Sequence, residues 1–139
     1  MENIKLSENG TIKLNQIARI GKFIREENTR IYSNSINRCK LFLDYYTFIS
    51  INLENSEFNL EDKKSLKDFL YQFSELFNKL FPIIERYNKS NDLLKYVISY
   101  NILNIYNKNR ELIEIMILNV LTLGRSIRIH NVDEGAGVY

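Results

Sequence analysis

Interruptions of regular secondary structure are scarce in this chain. Its 139 residues include one proline and five glycines, so few positions can break a long element. Apolar residues in several stretches recur at spacings of three and four, which is the period of an amphipathic helix. The clearest stretch alternates leucine and phenylalanine at such positions: Leu66, Phe69, Leu70, Phe73, Leu76, Phe77, Leu80 and Phe81. The pattern predicts an all-α fold, a bundle of four to five helices.

The helix ends are predicted from phase changes and capping residues. A first helix is expected from about Asn15, and a break at residues 32–35 separates it from a second helix that runs to about Ile51. Ser33, Asn34 or Ser35 would cap that second helix. Asn59 and Asp62 resemble a capping box for the third helix.

The second half of the chain continues in the same way. Pro82 is expected to end or kink the third helix, because proline lacks the backbone donor and clashes with the preceding turn. After a polar link at residues 88–91, a fourth helix either pauses at residues 107–109 or runs on. Residues 112–123 are apolar on nearly every side, which predicts a central buried helix with Gly124 as its C′ residue.

The N-terminal stretch has a different pattern. Ile4 and Leu6 alternate with polar residues, Ile12 and Leu14 do so again, and Asn9-Gly10 lies between the two runs. This pattern predicts a short β-hairpin within an arm formed by residues 1–14, the alternative being an irregular arm. Residues 131–139 are expected to form a C-terminal tail, and residues 1–139 a single domain.

Composition excludes several classes of protein. Hydrophobic residues make up 45% of the chain, too many for a disordered protein, and the net charge of +2 does not by itself indicate nucleic-acid binding. Cys39 is the only cysteine, which rules out an intrachain disulfide and a cysteine-based zinc site. No signal peptide and no apolar run of membrane-spanning length is recognised, which predicts a cytoplasmic protein without a membrane partner. No metal site and no cofactor are expected.

The only histidine lies near the C-terminal end, in Arg125-Ser126-Ile127-Arg128-Ile129-His130. These six residues resemble the Arg-x4-6-His motif of the HEPN superfamily, small all-α domains of which many are ribonucleases or toxins. The resemblance implies metal-independent RNA cleavage at a site shared by two protomers. In it His130 would move a proton and Arg125 would stabilise charge on the phosphate. The alternative is that basic residues lie here because the C-terminal end of a helix favours positive charge.

Two surfaces are candidate binding sites. Arg19, Lys22 and Arg30 form a basic face of the first helix that could bind phosphate, the alternative being a solvated surface. Tyr96 and Tyr100 share a helix face, and tyrosines beside asparagines are typical of protein interfaces, the alternative being plain exposure.

The leading hypothesis for function is a non-enzymatic helical protein that binds a macromolecular partner. The partner is expected to be a protein, which this chain would join as a small subunit or inhibit. An abundance of Asn, Ile, Lys and Tyr indicates an AT-rich genome, such as that of a bacterium or phage. The alternative is a HEPN-like ribonuclease or toxin, or an inactive relative, with RNA as its partner and a homodimer as its assembly.

Overall fold

A computed structural model describes the backbone of residues 3–20 and 34–135 and the side chains of residues 3–18 and 34–122. Within these ranges the chain forms helices and no strand. The helices are α1 (Glu8–Ile20), α2 (Ser35–Asn52), α3 (Leu60–Tyr71), α4 (Ser74–Lys89), α5 (Asp92–Lys108) and α6 (Arg110–Gly135). The predicted all-α bundle is confirmed, and the described part of it has six helices.

Helix α2 lies at the centre of the bundle, where it contacts α3, α4, α5 and α6, while α1 packs on α6. Its side chains are buried on several sides because neighbouring helices surround it: Cys39, Leu41, Phe42, Leu43, Tyr45, Phe48 and Ile49. Helix α6 therefore does not occupy the centre expected for residues 112–123. Among the described side chains of α6, Ile113, Met116, Ile117 and Val120 are fully buried, whereas Leu118 on another face is 55% exposed.

Asparagine side chains cap the N-terminal ends of three of the helices. The side-chain oxygens of Asn34, Asn59 and Asn91 each accept a hydrogen bond from the backbone N–H three residues later, at 2.8, 2.7 and 2.9 Å. Each bond satisfies one of the donors that a helix start leaves free. Asn34 is one of the three caps predicted for the second helix. Residues 32 and 33 of the predicted break at residues 32–35 lie outside the described residues.

The predicted N-terminal hairpin is wrong. Residues 3–7 have no regular secondary structure, and α1 begins at Glu8, so Asn9-Gly10 belongs to its first turn and the helix starts well before Asn15. The segment before α1 is held on α6, where the side-chain oxygen of Asn119 accepts a hydrogen bond from the N–H of Ile4 at 2.9 Å. This contact and the hydrogen bonds from Ser7 to the carboxylate of Asp62 in α3 replace the strand pairing that a hairpin would need.

The third predicted helix is divided in two. Helix α3 ends at Tyr71 and α4 begins at Ser74, with the buried side chain of Phe73 at the junction. Pro82 lies inside α4, which continues to Lys89 and buries Ile84 beyond the proline. The proline therefore does not end the helix, since packing of the following turn outweighs the missing backbone hydrogen bond.

The last two helices are separated by Asn109 alone, so of the two alternatives left open by the sequence the chain takes the pause. Gly124 does not end α6, whose backbone continues to Gly135, so the predicted C′ glycine is wrong. One glycine costs a helix only about 1 kcal/mol, too little to end one of this length. Of the predicted tail, residues 131–135 belong to α6 and residues 136–139 lie outside the described residues. Of the helices searched over these described ranges, none is long and apolar enough to span a membrane.

Candidate protein interface on helix α5

Helix α5 has apolar side chains on two opposite faces. Its inner face is buried against the bundle and carries Ile98, Ile102, Ile105 and Tyr106. Its outer face, here called the α5 outer face, consists of Leu93, Tyr96, Val97, Tyr100 and Leu103. These five residues recur at spacings of three and four, so they form one stripe along the helix.

The α5 outer face is strongly exposed. Leu93 is 77% exposed, and Tyr96, Val97 and Tyr100 each expose more than half of their surface. With about 200 Å² for a fully exposed side chain of this size, the five residues present roughly 600 Å² of apolar and aromatic surface. That area reaches the upper part of the range of the largest apolar patch on a typical monomer, and such patches are often functional.

The outer face is also free of charge. Between Leu93 and Asn107 the only charged residue is Lys95. Its ammonium lies 5.6 Å from the centre of the Tyr87 ring, to one side of the stripe. Exposed asparagines border the C-terminal half of the face at positions 101, 104 and 107. A core depleted of charge with a polar border is the composition that distinguishes protein interfaces from the rest of a protein surface.

Tyr96 and Tyr100 hold each other in place at the centre of the face. Their hydroxyl oxygens are 2.8 Å apart and share a hydrogen bond, and their rings meet edge to face with centroids 5.2 Å apart. The hydrogen bond with Tyr96 raises the pKa of Tyr100 above its usual value. Two tyrosines fixed in this way lose little rotamer freedom on binding, which favours their use as contact residues.

A second polar cluster joins α2, α5 and α6. The Arg38 Nε donates to both carboxylate oxygens of Glu114, at 2.6 and 2.9 Å, and the Tyr106 hydroxyl donates to Oε1 at 2.7 Å. Burial alone would raise the pKa of Glu114, but the hydrogen bonds from Arg38 and Tyr106 outweigh it and the pKa lies below its usual value. Because the carboxylate is ionised and engaged by these donors, the cluster fits a structural role better than proton transfer.

Of the residues predicted as binding sites, Tyr96 and Tyr100 are brought together on the α5 outer face. Arg19 belongs to α1, but its side chain lies outside the described residues, as do Lys22 and Arg30 entirely. Arg125 and His130 belong to the backbone of α6, and their side chains also lie outside the described part. No arrangement of these basic residues or of the histidine is therefore described.

Sequence reasoning missed the apolar members of this face. The candidate binding residues predicted from the sequence do not include Leu93, Val97 or Leu103, which are 77%, 58% and 40% exposed. One signal could have found them. A helix with apolar residues on both faces and a single charge over fifteen positions has more apolar surface than one side of a small bundle can cover.

The described residues contain no group of three histidine, cysteine, aspartate or glutamate side chains that could hold a metal ion. Fold and surface together define, for the described residues, a helical-bundle protein whose helix α5 has an uncharged, exposed face. Comparison with known proteins adds no assignment, since no family model, curated protein or solved structure matches the chain.

Proposed function

We propose that the chain is a non-enzymatic interaction protein. Its macromolecular partner is another protein chain, which it binds through the α5 outer face. The observation that supports this proposal is the exposure of Leu93, Tyr96, Val97 and Tyr100 on one uncharged stripe. Burial of apolar surface contributes a free energy of about 25 cal/mol for each Å² removed from water. A partner that covers the stripe would therefore be stabilised on it by this free energy.

The chemistry of the face favours a protein over RNA. Nucleic-acid affinity depends on lysines and arginines that neutralise phosphates, and the stripe has none. Its single neighbouring cation, Lys95, lies over the ring of Tyr87. Tyrosines can stack on unpaired bases, but stacking on single strands is normally accompanied by a positively charged groove. An apolar protein surface with a few polar acceptors for the tyrosine hydroxyls fits the face better.

Site-specific photocrosslinking tests this function. A photoreactive phenylalanine analogue is placed at Tyr100, in cells that naturally produce the protein, and covalent products are detected after irradiation. The matched control is the same analogue at Tyr71 on α3, which is 81% exposed but flanked by the charged residues Lys67 and Asp68. We expect a discrete protein adduct from position 100 and none from position 71.

A further variant shows whether the adduct depends on the whole face. Leu93→Glu places a charge at the end of the stripe, 77% exposed and therefore with little effect on folding. We expect it to reduce the adduct formed from position 100 by at least about tenfold, since a charge buried without a partner opposes association. Absence of any adduct from position 100, or equal adducts from positions 100 and 71, would contradict the proposed function.

A further inference from the structure

The outer face of α5 has an internal symmetry. Leu93, Tyr96, Tyr100 and Leu103 follow one another at spacings of three, four and three, so the series Leu-Tyr-Tyr-Leu is the same in both chain directions. All four side chains are exposed on the same stripe. The midpoint of the series falls at residue 98, and Val97 is the exposed residue next to it.

A series that is the same in both directions is suited to pairing with itself. In a two-fold symmetric interface, the contact of residue i with residue j of the second chain is repeated as j with i. Two antiparallel copies of α5 in register about residue 98 place Leu93 opposite Leu103 of the partner subunit. Tyr96 then lies opposite Tyr100 of the partner subunit, and Val97 lies beside the symmetry axis.

Charge favours the antiparallel direction over the parallel one. Asp92 begins α5 and Lys108 ends it. A parallel pair would bring Asp92 beside the second copy of Asp92 and Lys108 beside the second copy of Lys108, and it would align the two helix dipoles. The antiparallel pair keeps these like charges apart and opposes the dipoles. The stripe itself has no charge that two copies would have to bring into contact.

The area is large enough for such a pair. Two stripes of roughly 600 Å² each, if each fully covers the other, bury about 1,200 Å² in total, which is the lower bound for a specific protein interface. The exposed asparagines at positions 101, 104 and 107 add polar border to this area. An interface at this lower bound predicts a reversible dimer that depends on concentration.

We infer that the partner covering the α5 outer face is a second copy of this chain, paired antiparallel through Leu93, Tyr96, Val97, Tyr100 and Leu103. The inference rests on the proposed function and names the partner. If a different protein covers the face instead, the chain will remain a monomer and position 100 will crosslink to that protein.

Sedimentation of the purified full chain over a range of concentrations is the first test. We expect wild type to shift from monomer to dimer as concentration rises. Val97→Glu places two carboxylates beside the symmetry axis, and we expect it to raise the dissociation constant at least about tenfold. Tyr71→Glu, on the exposed surface of α3, is the control and should leave the dissociation constant unchanged. Circular dichroism of both variants checks that they fold.

Disulfide crosslinking tests the direction of the pair. Leu93→Cys and Leu103→Cys chains are mixed and oxidised mildly, and we expect a disulfide between the two variants but little within either one alone. In the antiparallel pair the two copies of residue 93 are ten residues apart along the axis, about 15 Å at 1.5 Å per residue. That separation exceeds the roughly 7 Å that a disulfide can bridge between Cα atoms.

The native thiol does not interfere with this experiment. Cys39 is fully buried, and burial, with a smaller contribution from the charge of Glu114, raises its pKa to about 12. A thiol that is both inaccessible and protonated reacts slowly. Crosslinks will therefore report on the introduced cysteines alone.

The outcomes separate this inference from the proposed function. If the chain is a monomer at all concentrations and position 100 crosslinks to a different protein, the inference of a second copy is wrong and the proposed function still holds. A monomer with no photoadduct overturns both. Efficient crosslinking within Leu93→Cys alone overturns the antiparallel arrangement.

Discussion

The carboxylate of Asp62 accepts two hydrogen bonds from Ser7, one from its backbone N–H at 2.7 Å and one from its hydroxyl at 2.6 Å. Ser7 precedes α1, and its hydroxyl oxygen in turn accepts from the N–H of Gly10 at 3.0 Å. In a capping box the side chain that reaches back to the cap belongs to the same helix. Here the side chain that accepts from the cap residue of α1 belongs to another helix, since it is Asp62 of α3. The backbone N–H of Asp62 in turn donates to the side-chain oxygen of Asn59. One residue thereby joins the starts of two helices.

Gly10 leaves room for this contact, which leads to a first prediction. A Cβ atom at position 10 would meet the Asp62 carboxylate and come within 3.1 Å of the Ser7 hydroxyl oxygen. Asp62 is only 3% exposed, so it can move away only by losing its hydrogen bonds to Ser7. We expect Gly10→Ala to lower the free energy of unfolding by about 1–2 kcal/mol, because lost buried hydrogen bonds outweigh the higher helix propensity of alanine.

A double-mutant cycle checks the cause. In an Asp62→Ala background the obstacle is gone, and Gly10→Ala should then stabilise the protein by about 1 kcal/mol through helix propensity alone. Urea unfolding of the four proteins measures both effects. A stabilising effect of Gly10→Ala in wild type would show that Asp62 does not occupy the space beside Gly10.

Asn15 supports a second prediction. Its side chain is fully buried in α1, and neither its amide nitrogen nor its amide oxygen has a hydrogen-bond partner among the described residues. An unsatisfied buried polar group destabilises a protein by about 1–3 kcal/mol. We therefore expect Asn15→Leu, a change to an apolar side chain of similar shape, to raise the free energy of unfolding by about 1–2 kcal/mol.

Asn52 is the matched control for this change. It is buried to a similar extent, but its side-chain nitrogen donates to the carbonyl oxygen of Phe48 at 2.7 Å. Asn52→Leu removes a satisfied hydrogen bond and should give no comparable gain. Thermal and urea denaturation of both variants distinguish the two sites, and equal effects would show that the buried amide of Asn15 is satisfied.

The ion pair between Arg38 and Glu114 supports a prediction about pH. Their side chains are 22% and 33% exposed, so solvent screening limits the contribution of the pair. We expect Glu114→Gln to lower the free energy of unfolding at pH 7 by about 1 kcal/mol. Glu111→Gln, one turn earlier and exposed, is the control and should have little effect.

The pH dependence follows from the lowered pKa of Glu114. The unfolded chain, with an ordinary carboxyl pKa near 4.5, binds the proton more readily than the folded chain. The stabilisation is therefore complete above pH 4.5 and is lost as pH falls through the lower pKa of the folded state. Urea unfolding at pH 7, 5 and 3 should show the difference between wild type and Glu114→Gln shrinking at the lowest pH. A constant difference would contradict the assignment.

RNA cleavage remains the alternative predicted from Arg125 and His130. Because the proposed function is non-enzymatic, we expect the purified protein to leave labelled single-stranded RNA intact in EDTA. A HEPN-like ribonuclease would cleave it without metal, and His130→Ala would reduce cleavage by about 10²–10⁴-fold through loss of the proton-transfer group. Cleavage that both His130→Ala and Arg125→Ala abolish would replace the proposed function.

Local sequence signals predicted much of the fold and part of the candidate site. The helical period and the cap Asn59 depend on residues within a turn of one another, so they can be recognised without knowing the fold. The same local signals gave Asn34 as one of three candidate caps and the pause near Asn109 as one of two alternatives. The pairing of Tyr96 with Tyr100 has the same origin, since residues four apart on a helix are neighbours. The prediction of an N-terminal hairpin was wrong because it used only the local preference of Asn-Gly for a tight turn. The hydrogen bonds from Ser7 to Asp62, a residue distant in sequence, hold the start of a helix there instead.

The sequence by itself thus determined where most helices form and that Tyr96 and Tyr100 share a face. Only the tertiary structure decided which apolar faces are covered. Helix α5 has one apolar face toward the bundle and another toward solvent, and its sequence pattern does not distinguish Ile102 from Val97. Burial depends on contacts with helices distant in sequence, and the central place of α2 left the outer face of α5 with no covering helix among the described ones.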